Sequence, residues 1–444
     1  MPMWKKYYGI AILCLCYGIA SKAQPSASTP DSDTTNAFEN RPAAYFIVGN
    51  IVIAGNKHTK DYIIERELPF KTGDSVRLSE LVKQFEIARE QLINTHLFLE
   101  AVVAVRSVHG YVIDVGIDIK ERWYIFPIPY IKPVDRNLSE WAKQGYGADR
   151  LNYGFKFIHY NMSGRNDKLR LWLITGYSKQ LQFQYDQPYA DKTLKHGYKV
   201  GLSYASNKEI NYATINNQQQ FTDTLSGYKT WSGYIEYDYR PALRTFHSLR
   251  LSYTRLNFDK NVIKLNPKYY KDGVNKIDLP EISYSLKYYN VDFIPYPLKG
   301  WMGEVALLKR GIHSYTEMWQ LAAKYNKALD LGKKWSVNWE GQGILKLPFD
   351  QPFYNSAMFG YNDCYLRGLE KYVVDGVAAI LARQTIRKEL VRFNVPTFIT
   401  STTHDRIPFA IYAKAFTDMG YSHKKSFPEN SLTNIMLYIT GFGI

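Results

Sequence analysis

The sequence predicts a small α+β domain followed by an antiparallel transmembrane β-barrel. Three observations lead there. The one strong helical stripe lies in the first third of the chain. After Glu121 come about three hundred residues of short apolar/polar alternations, rich in Tyr, Trp and Gly. The N-terminus reads as an export signal, and no later apolar run is long enough for a membrane helix.

The export signal comes first. Lys5 and Lys6 form a positive flank, Tyr7 to Ala20 an apolar stretch, and Ser21-Lys22-Ala23 a small-residue cleavage site before Gln24. Cleavage there removes Cys14 and Cys16 and leaves Cys364 alone, so no internal disulfide is expected in the mature chain. Residues 24–44, rich in Ser, Thr, Pro, Asp and Asn, cannot bury enough apolar surface to fold and read as a tether.

Residues 45–121 carry the α+β pattern. Phe46 to Ile53 is strand-like, Gly55-Asn56 is a turn signal, and Lys60 to Glu67 suits a short helix. Leu78, Leu81, Val82, Phe85, Ala88 and Leu92 recur at helical spacing. Val102 to Arg106 and Val112 to Ile119 read as strands around a turn at His109-Gly110, giving the order β-α-α-β-β.

From Asn152 onward the period is two. Ile282, Tyr284, Leu286 and Tyr288 alternate with Ser283, Ser285 and Lys287. Trp335, Val337 and Trp339 alternate with Ser336, Asn338 and Glu340, and Ile235, Tyr237 and Tyr239 with Glu236 and Asp238. A soluble sandwich also alternates, but its buried face would be aliphatic; here the apolar face is loaded with Tyr and Trp, as a lipid-facing surface should be. The 37 Tyr fit girdles at the membrane boundary. Breaks at Ser163-Gly164, Pro297-Leu298-Lys299-Gly300 and Leu331-Gly332 separate about thirteen candidate strands. The polar inserts Asn207–Gly227 and Lys260–Leu279 read as extracellular loops.

Composition also narrows the function classes. The net charge of +15 is spread along the chain without a basic run or nucleic-acid motif, so anionic lipid and lipopolysaccharide are the expected neighbours, and no nucleic acid is. The nine His show no metal-ligand spacing, and no cofactor motif occurs. There is no Gly-x-Ser-x-Gly, and Ser, His and acidic residues are too scattered to nominate a triad, so no enzymatic activity is expected.

These residues resemble a known family. Ile51-Val52-Ile53-Ala54-Gly55-Asn56, the helix ending in Leu97-Phe98 and the closing Val115 to Arg122 look like a POTRA (polypeptide-transport-associated) domain. Leu366-Arg367-Gly368-Leu369 and Phe416-Thr417-Asp418-Met419-Gly420 look like the barrel motifs of the BamA/TamA-type outer-membrane assembly family, the bacterial surface antigen family. The resemblance implies sixteen strands in a complete barrel and an extracellular loop that folds back into the lumen. It assigns Arg367 to that loop, with Leu366, Gly368 and Leu369 beside it, and Asp418 to the inner wall, between Phe416 and Gly420. The residues give independent support: Phe409, Ile411, Ala413 and Ala415 alternate with Lys414, Phe416 and Asp418, which turns Asp418 toward the lumen. A guanidinium fork suits that carboxylate. Two departures stand out: Leu369 replaces the usual aromatic, and the chain stops at Gly441-Phe442-Gly443-Ile444 without the aromatic C-terminal residue of family barrels, which suggests a barrel short of its final strand, the alternative being a smaller barrel closed by different pairing.

The function implied is non-enzymatic insertion or translocation of other polypeptides at the outer membrane of a Gram-negative cell. The POTRA domain, in the periplasm, would capture an unfolded outer-membrane or secreted client by strand addition at Ile51, Val52 and Ile53 or at Val102, Val103 and Val105. The barrel would release it through a lateral seam. Accessory lipoproteins are possible partners. A dedicated two-partner secretion transporter is the alternative, though it usually carries two POTRA domains and a plug helix, and this chain has room for one domain. A passive pore would not need residues 45–121.

Overall fold

The structure is a computed structural model. It describes residues 45–133, 141–142, 145–270, 273–312, 317–361, 364–396, 406–425 and 430–444. The export signal and tether expected over residues 1–44 lie outside the described residues.

The N-terminal domain runs β1 (Tyr45–Ala54), α1 (Asp61–Glu65), β2 (Ser75–Arg77), α2 (Leu78–Asn94), β3 (Phe98–His109), β4 (Val112–Glu121). Its sheet order is β2-β1-β4-β3, with β1 and β4 parallel and the other pairs antiparallel. Along β4 the side chains alternate, and Ile113, Val115, Ile117 and Ile119 point to the core beside Ile63, Ile64, Leu81, Ala88 and Leu92. Gly55 has φ +91°, and a Cβ there would meet the Ile119 carbonyl oxygen at 2.0 Å, so the turn after β1 requires glycine.

Three details differ from the sequence reading. Leu78 and Val82 are exposed, at 54% and 76%, although both were assigned to the apolar stripe. The helix buries an arc centred on Leu81, Ala88 and Leu92 and extending to Gln91, and Val82 lies about 100° around the axis from Leu81. The short β2 was not expected, because three residues carry no readable period. The β3–β4 turn falls on Gly110-Tyr111, one residue later than read.

The second part is a 14-stranded antiparallel sheet. Its strands are β5 (Ile125–Pro133), β6 (Leu151–Tyr160), β7 (Lys168–Gly176), β8 (Lys179–Gln187), β9 (His196–Ile215), β10 (Gln218–Tyr239), β11 (Thr245–Asn257), β12 (Lys276–Val291), β13 (Gly300–Arg310), β14 (Met318–Gly332), β15 (Trp335–Leu347), β18 (Ala378–Pro396), β19 (Arg406–His423) and β20 (Met436–Gly443). Two short strands, β16 (Ala357–Phe359) and β17 (Val374–Asp375), pair with each other instead. Consecutive strands of the large sheet are neighbours, as in an up-and-down barrel, and the β15–β18 pairing skips the short hairpin. Thirteen strands of the large sheet lie from Leu151 onward; β5 precedes them and is not visible in the sequence, since three prolines hide its period. Among the described residues no ladder joins β5 to β20.

The alternation sorts as a barrel requires. Ile282, Tyr284, Leu286, Trp335, Trp339, Ile235 and Tyr237 are exposed, whereas Glu236, Ser336 and Asn338 are buried. Val337 departs from this pattern and is buried between the two exposed Trp residues.

The two inserts expected as loops are largely ordered structure. Asn207–Gly227 continues β9 and β10 into one long hairpin that turns at Asn216 and Asn217, both with positive φ. Lys260–Leu279 holds the helix α3 (Lys260–Leu265) and the start of β12. There Phe258, Val262, Tyr269, Tyr270, Ile277 and Leu279 pack with Phe353 into an apolar cluster. Polar composition concealed both, because the apolar residues sit between Asn, Lys and Asp.

Candidate functional site

The connection between β15 and β18 folds back onto the barrel wall. It enters through a 3₁₀ turn at Phe353–Asn355 and is pinned by the β16–β17 pair. Leu366 is fully buried among Phe359, Val374, Leu381 and Leu437, with Leu369 packed alongside. Gly420 on β19 leaves room for it: a Cβ at Gly420 would lie 3.0 Å from Leu366 Cδ2. Gly368 has φ +91°, the left-handed region that turns the loop after Arg367.

Arg367 then meets the wall. Its backbone N–H donates to Asp418 Oδ2 at 2.9 Å, and Nε donates to both carboxylate oxygens at 3.0 Å. Nη2 donates to Oδ1 as well, and Nη1 donates to Thr385 Oγ1 at 2.9 Å. The guanidinium carbon lies 4.1 Å from the centre of the Phe416 ring. The β18–β19 register sets Thr385 opposite Phe416 and Arg383 opposite Asp418. Arg383 adds a second positive charge, its Nε 3.8 Å from Asp418 Oδ2. Asp418 has no solvent exposure, so this carboxylate depends on its fork-shaped partner. A second anchor lies deeper in the loop: Tyr361 donates to buried Asp375 at 2.5 Å, and Ser422 donates to the Asp375 carbonyl at 3.0 Å.

A separate cluster joins the N-terminal domain to the strand ends. Glu67, just past α1, is buried and accepts from Arg240 Nη1 at 2.5 Å and Nη2 at 2.7 Å, and from the Tyr189 hydroxyl at 2.8 Å. Burial alone would raise the Glu67 carboxyl, but the Arg240 charge and its hydrogen bonds outweigh that and hold it below the ordinary carboxylate range. Arg66 Nε donates to the Leu194 carbonyl at 3.0 Å. Asn94, the last residue of α2, donates to the Val291 carbonyl at 3.1 Å and accepts from the Ile294 N–H at 3.0 Å. Asn161 Nδ2 donates to Thr59 Oγ1 at 2.9 Å, and Glu121 accepts from the Thr59 N–H at 2.7 Å. The domain is thus seated on four successive strand connections at one end of the barrel. Sequence reasoning missed this seat, since its partners stand up to 200 residues apart and carry no motif.

Of the two strands read as docking candidates, one lies at a sheet edge and the other is covered on one side over part of its length. β3 is the terminal strand of its sheet, with Val102 and Val105 exposed and Val103 packed against the core. β2 covers only Tyr45, Phe46 and Ile47 of β1, so Ile51, Val52 and Ile53 have β4 as their one strand neighbour among the described residues. Ile51 and Ile53 pack on the core and Val52 is exposed. Among the described residues, no group of three or more His, Cys, Asp or Glu could hold a metal ion.

Known proteins share these parts. Residues 46–122 match POTRA, the surface antigen variable number repeat family. The chain is 27% identical over 256 residues to the outer membrane protein assembly factor BamA of Neorickettsia risticii (strain Illinois), a match covering 56% of this chain and 30% of that protein. It therefore spans about a third of the length of this curated relative. Among solved structures, BamA from Haemophilus ducreyi lacking POTRA domains 1–3 aligns at 17% identity and TM-score 0.44, over 85% of this chain and 72% of that one. CdiB from Acinetobacter baumannii aligns at 12% identity and TM-score 0.46, over 90% and 68%. A POTRA domain followed by a large antiparallel sheet makes this a POTRA-plus-barrel protein. In its sequence and domain order the chain is similar to the BamA/TamA type of these proteins.

Proposed function

We propose that this protein inserts or translocates other polypeptides at the outer membrane, without enzymatic chemistry. The observation that carries the reading is a pair of strand edges that have no strand partner among the described residues: β3 at the edge of the POTRA sheet, and β5 at the seam of the barrel. An extended client can add to β3 by main-chain hydrogen bonds, its side chains meeting exposed Val102 and Val105. The domain, facing the periplasm, hands the client to the barrel end on which it is seated. The client then enters the bilayer at the seam, where an unpaired backbone strand in lipid gains most from a partner.

Within this reading the Arg367–Asp418 contact fixes the inward loop to the wall, so the lumen keeps its shape while the seam works. The clients are unfolded outer-membrane or secreted polypeptides. Depletion of the protein followed by outer-membrane proteomics tests the proposal. Loss of many barrel proteins indicates general assembly, loss of one or two a dedicated transporter, and an unchanged outer membrane contradicts both.

A further inference from the structure

The seam strand β5 has an unusual backbone. Its sequence, Ile125-Phe126-Pro127-Ile128-Pro129-Tyr130-Ile131-Lys132-Pro133, holds three prolines in nine residues, and no other strand of the large sheet holds more than one. The direction in which those prolines face follows from the ladder. β5 pairs β6 with Tyr130 opposite Gly154 and Phe126 opposite Ile158, and in the same register the Tyr160 N–H donates to the Tyr124 carbonyl at 2.8 Å. In an antiparallel ladder, hydrogen-bonded and non-bonded positions alternate along each strand. Tyr124, Phe126, Ile128, Tyr130 and Lys132 therefore direct their backbone groups at β6. Ile125, Pro127, Pro129, Ile131 and Pro133 direct theirs at the open seam.

All three prolines thus fall on the seam side. The seam edge of β5 presents five carbonyls but only two N–H groups, those of Ile125 and Ile131. The Ile125 carbonyl is already engaged by the Trp123 indole N–H. Any strand laid along this edge would leave carbonyls of its own facing pyrrolidine rings. In hydrocarbon an unsatisfied carbonyl is expensive, and the ring also holds the approaching strand away. Proline on the N–H side of a strand is a known guard against pairing at an edge.

We propose that Pro127, Pro129 and Pro133 are a built-in gap in the seam ladder: they keep β5 from being zipped into a continuous barrel, so that whatever strand meets it is held by a partial set of hydrogen bonds and can be released. This rests on the seam serving as the client's route, but its test does not. In the full-length protein reconstituted in phospholipid vesicles, Pro127→Val, Pro129→Val and Pro133→Val are combined, and the rate of barrel unfolding is followed by loss of the compact band on unheated gels.

Three restored donors should slow unfolding, by about fivefold for each bond gained. Removing proline by itself has the opposite sign, since it loosens the unfolded chain. Unchanged or faster unfolding therefore overturns the proposal. Should the triple variant not fold, Pro129→Val alone decides on the same scale. An unchanged outer-membrane proteome after depletion would contradict the transport reading and leave the unfolding result standing.

Discussion

Two Arg–carboxylate clusters hold this molecule in shape, and they differ in what they join. Arg367 and Asp418 tie a loop to the wall of the same barrel, 51 residues apart in sequence. Glu67 and Arg240 tie one domain to another across 173 residues. In both, a buried carboxylate meets a guanidinium through at least two hydrogen bonds. A buried pair of this kind adds little over an apolar substitute, but breaking it strands a charge. The first cluster should therefore govern the integrity of the barrel, and the second the seating of the domain on it.

Removing Asp418 should have the largest effect. Asp418→Ala leaves Arg367 and Arg383 facing each other without their shared carboxylate, at a cost of about 4 kcal/mol, reduced somewhat where lumen water reaches Arg367. The compact barrel band on unheated gels should be lost at a lower temperature, while the POTRA domain stays resistant to protease. Arg367→Ala should act in the same direction, and Arg367→Lys should not restore the wild type, because an ammonium cannot reproduce the fork. Wild-type assembly and activity of Arg367→Ala would remove the loop–wall contact from the account.

Glu67→Ala should separate the two clusters. It costs about 3 kcal/mol at the domain seat, since Arg240 and Tyr189 lose their common acceptor. Proteolysis near Arg122 should rise while barrel unfolding stays close to wild type. The pH dependence has a definite sign. The folded-state pKa of Glu67 is lowered, so its stabilisation is fully present above the unfolded value of 4.5 and is lost as pH falls through the lower folded value. Domain release monitored by proteolysis should thus be flat at neutral pH and rise only below about pH 4.5. Glu67→Gln should abolish that acid step.

Asn94→Ala tests a neutral contact at the same seat. It removes hydrogen bonds to Val291 and Ile294 and should cost about 1–2 kcal/mol, seen as a smaller rise in proteolysis. Val82→Ser is the smallest change. Val82 is exposed on α2, so the unfolding midpoint should stay within about 0.5 kcal/mol of wild type. A larger loss would mean that Val82 is covered by something, as the helical stripe in the sequence first suggested.

What could be read in advance follows the range of each signal. The period-two alternation of Ile282 to Tyr288, and the buried Leu81, Ala88 and Leu92 of α2, are local patterns, and both elements were legible. Leu78 and Val82 were misplaced because a periodic stripe does not say how wide an arc the sheet covers. The α3 region was misread as a loop because Phe258, Val262 and Tyr269 are spaced among polar residues and find Phe353 only in three dimensions. Arg367 and Asp418 came from motif resemblance and strand parity, which is why they could be named as a pair. Glu67, Arg240, Asn94 and Asp375 offered neither period nor motif. Pro127, Pro129 and Pro133 were visible throughout, but their meaning depends on which way β5 turns its backbone.

The most direct test of the account places a photo-crosslinking side chain at Val105 on the β3 edge, at Ile131 on the β5 edge, and at exposed Val82 on α2 as a reference. After irradiation in cells, attached polypeptides are identified by mass spectrometry. Precursors of outer-membrane barrel proteins or secreted proteins should attach at Val105 and Ile131 and be absent from Val82. Equal attachment at all three positions, or none at the two strand edges, would contradict transfer from the POTRA edge to the barrel seam.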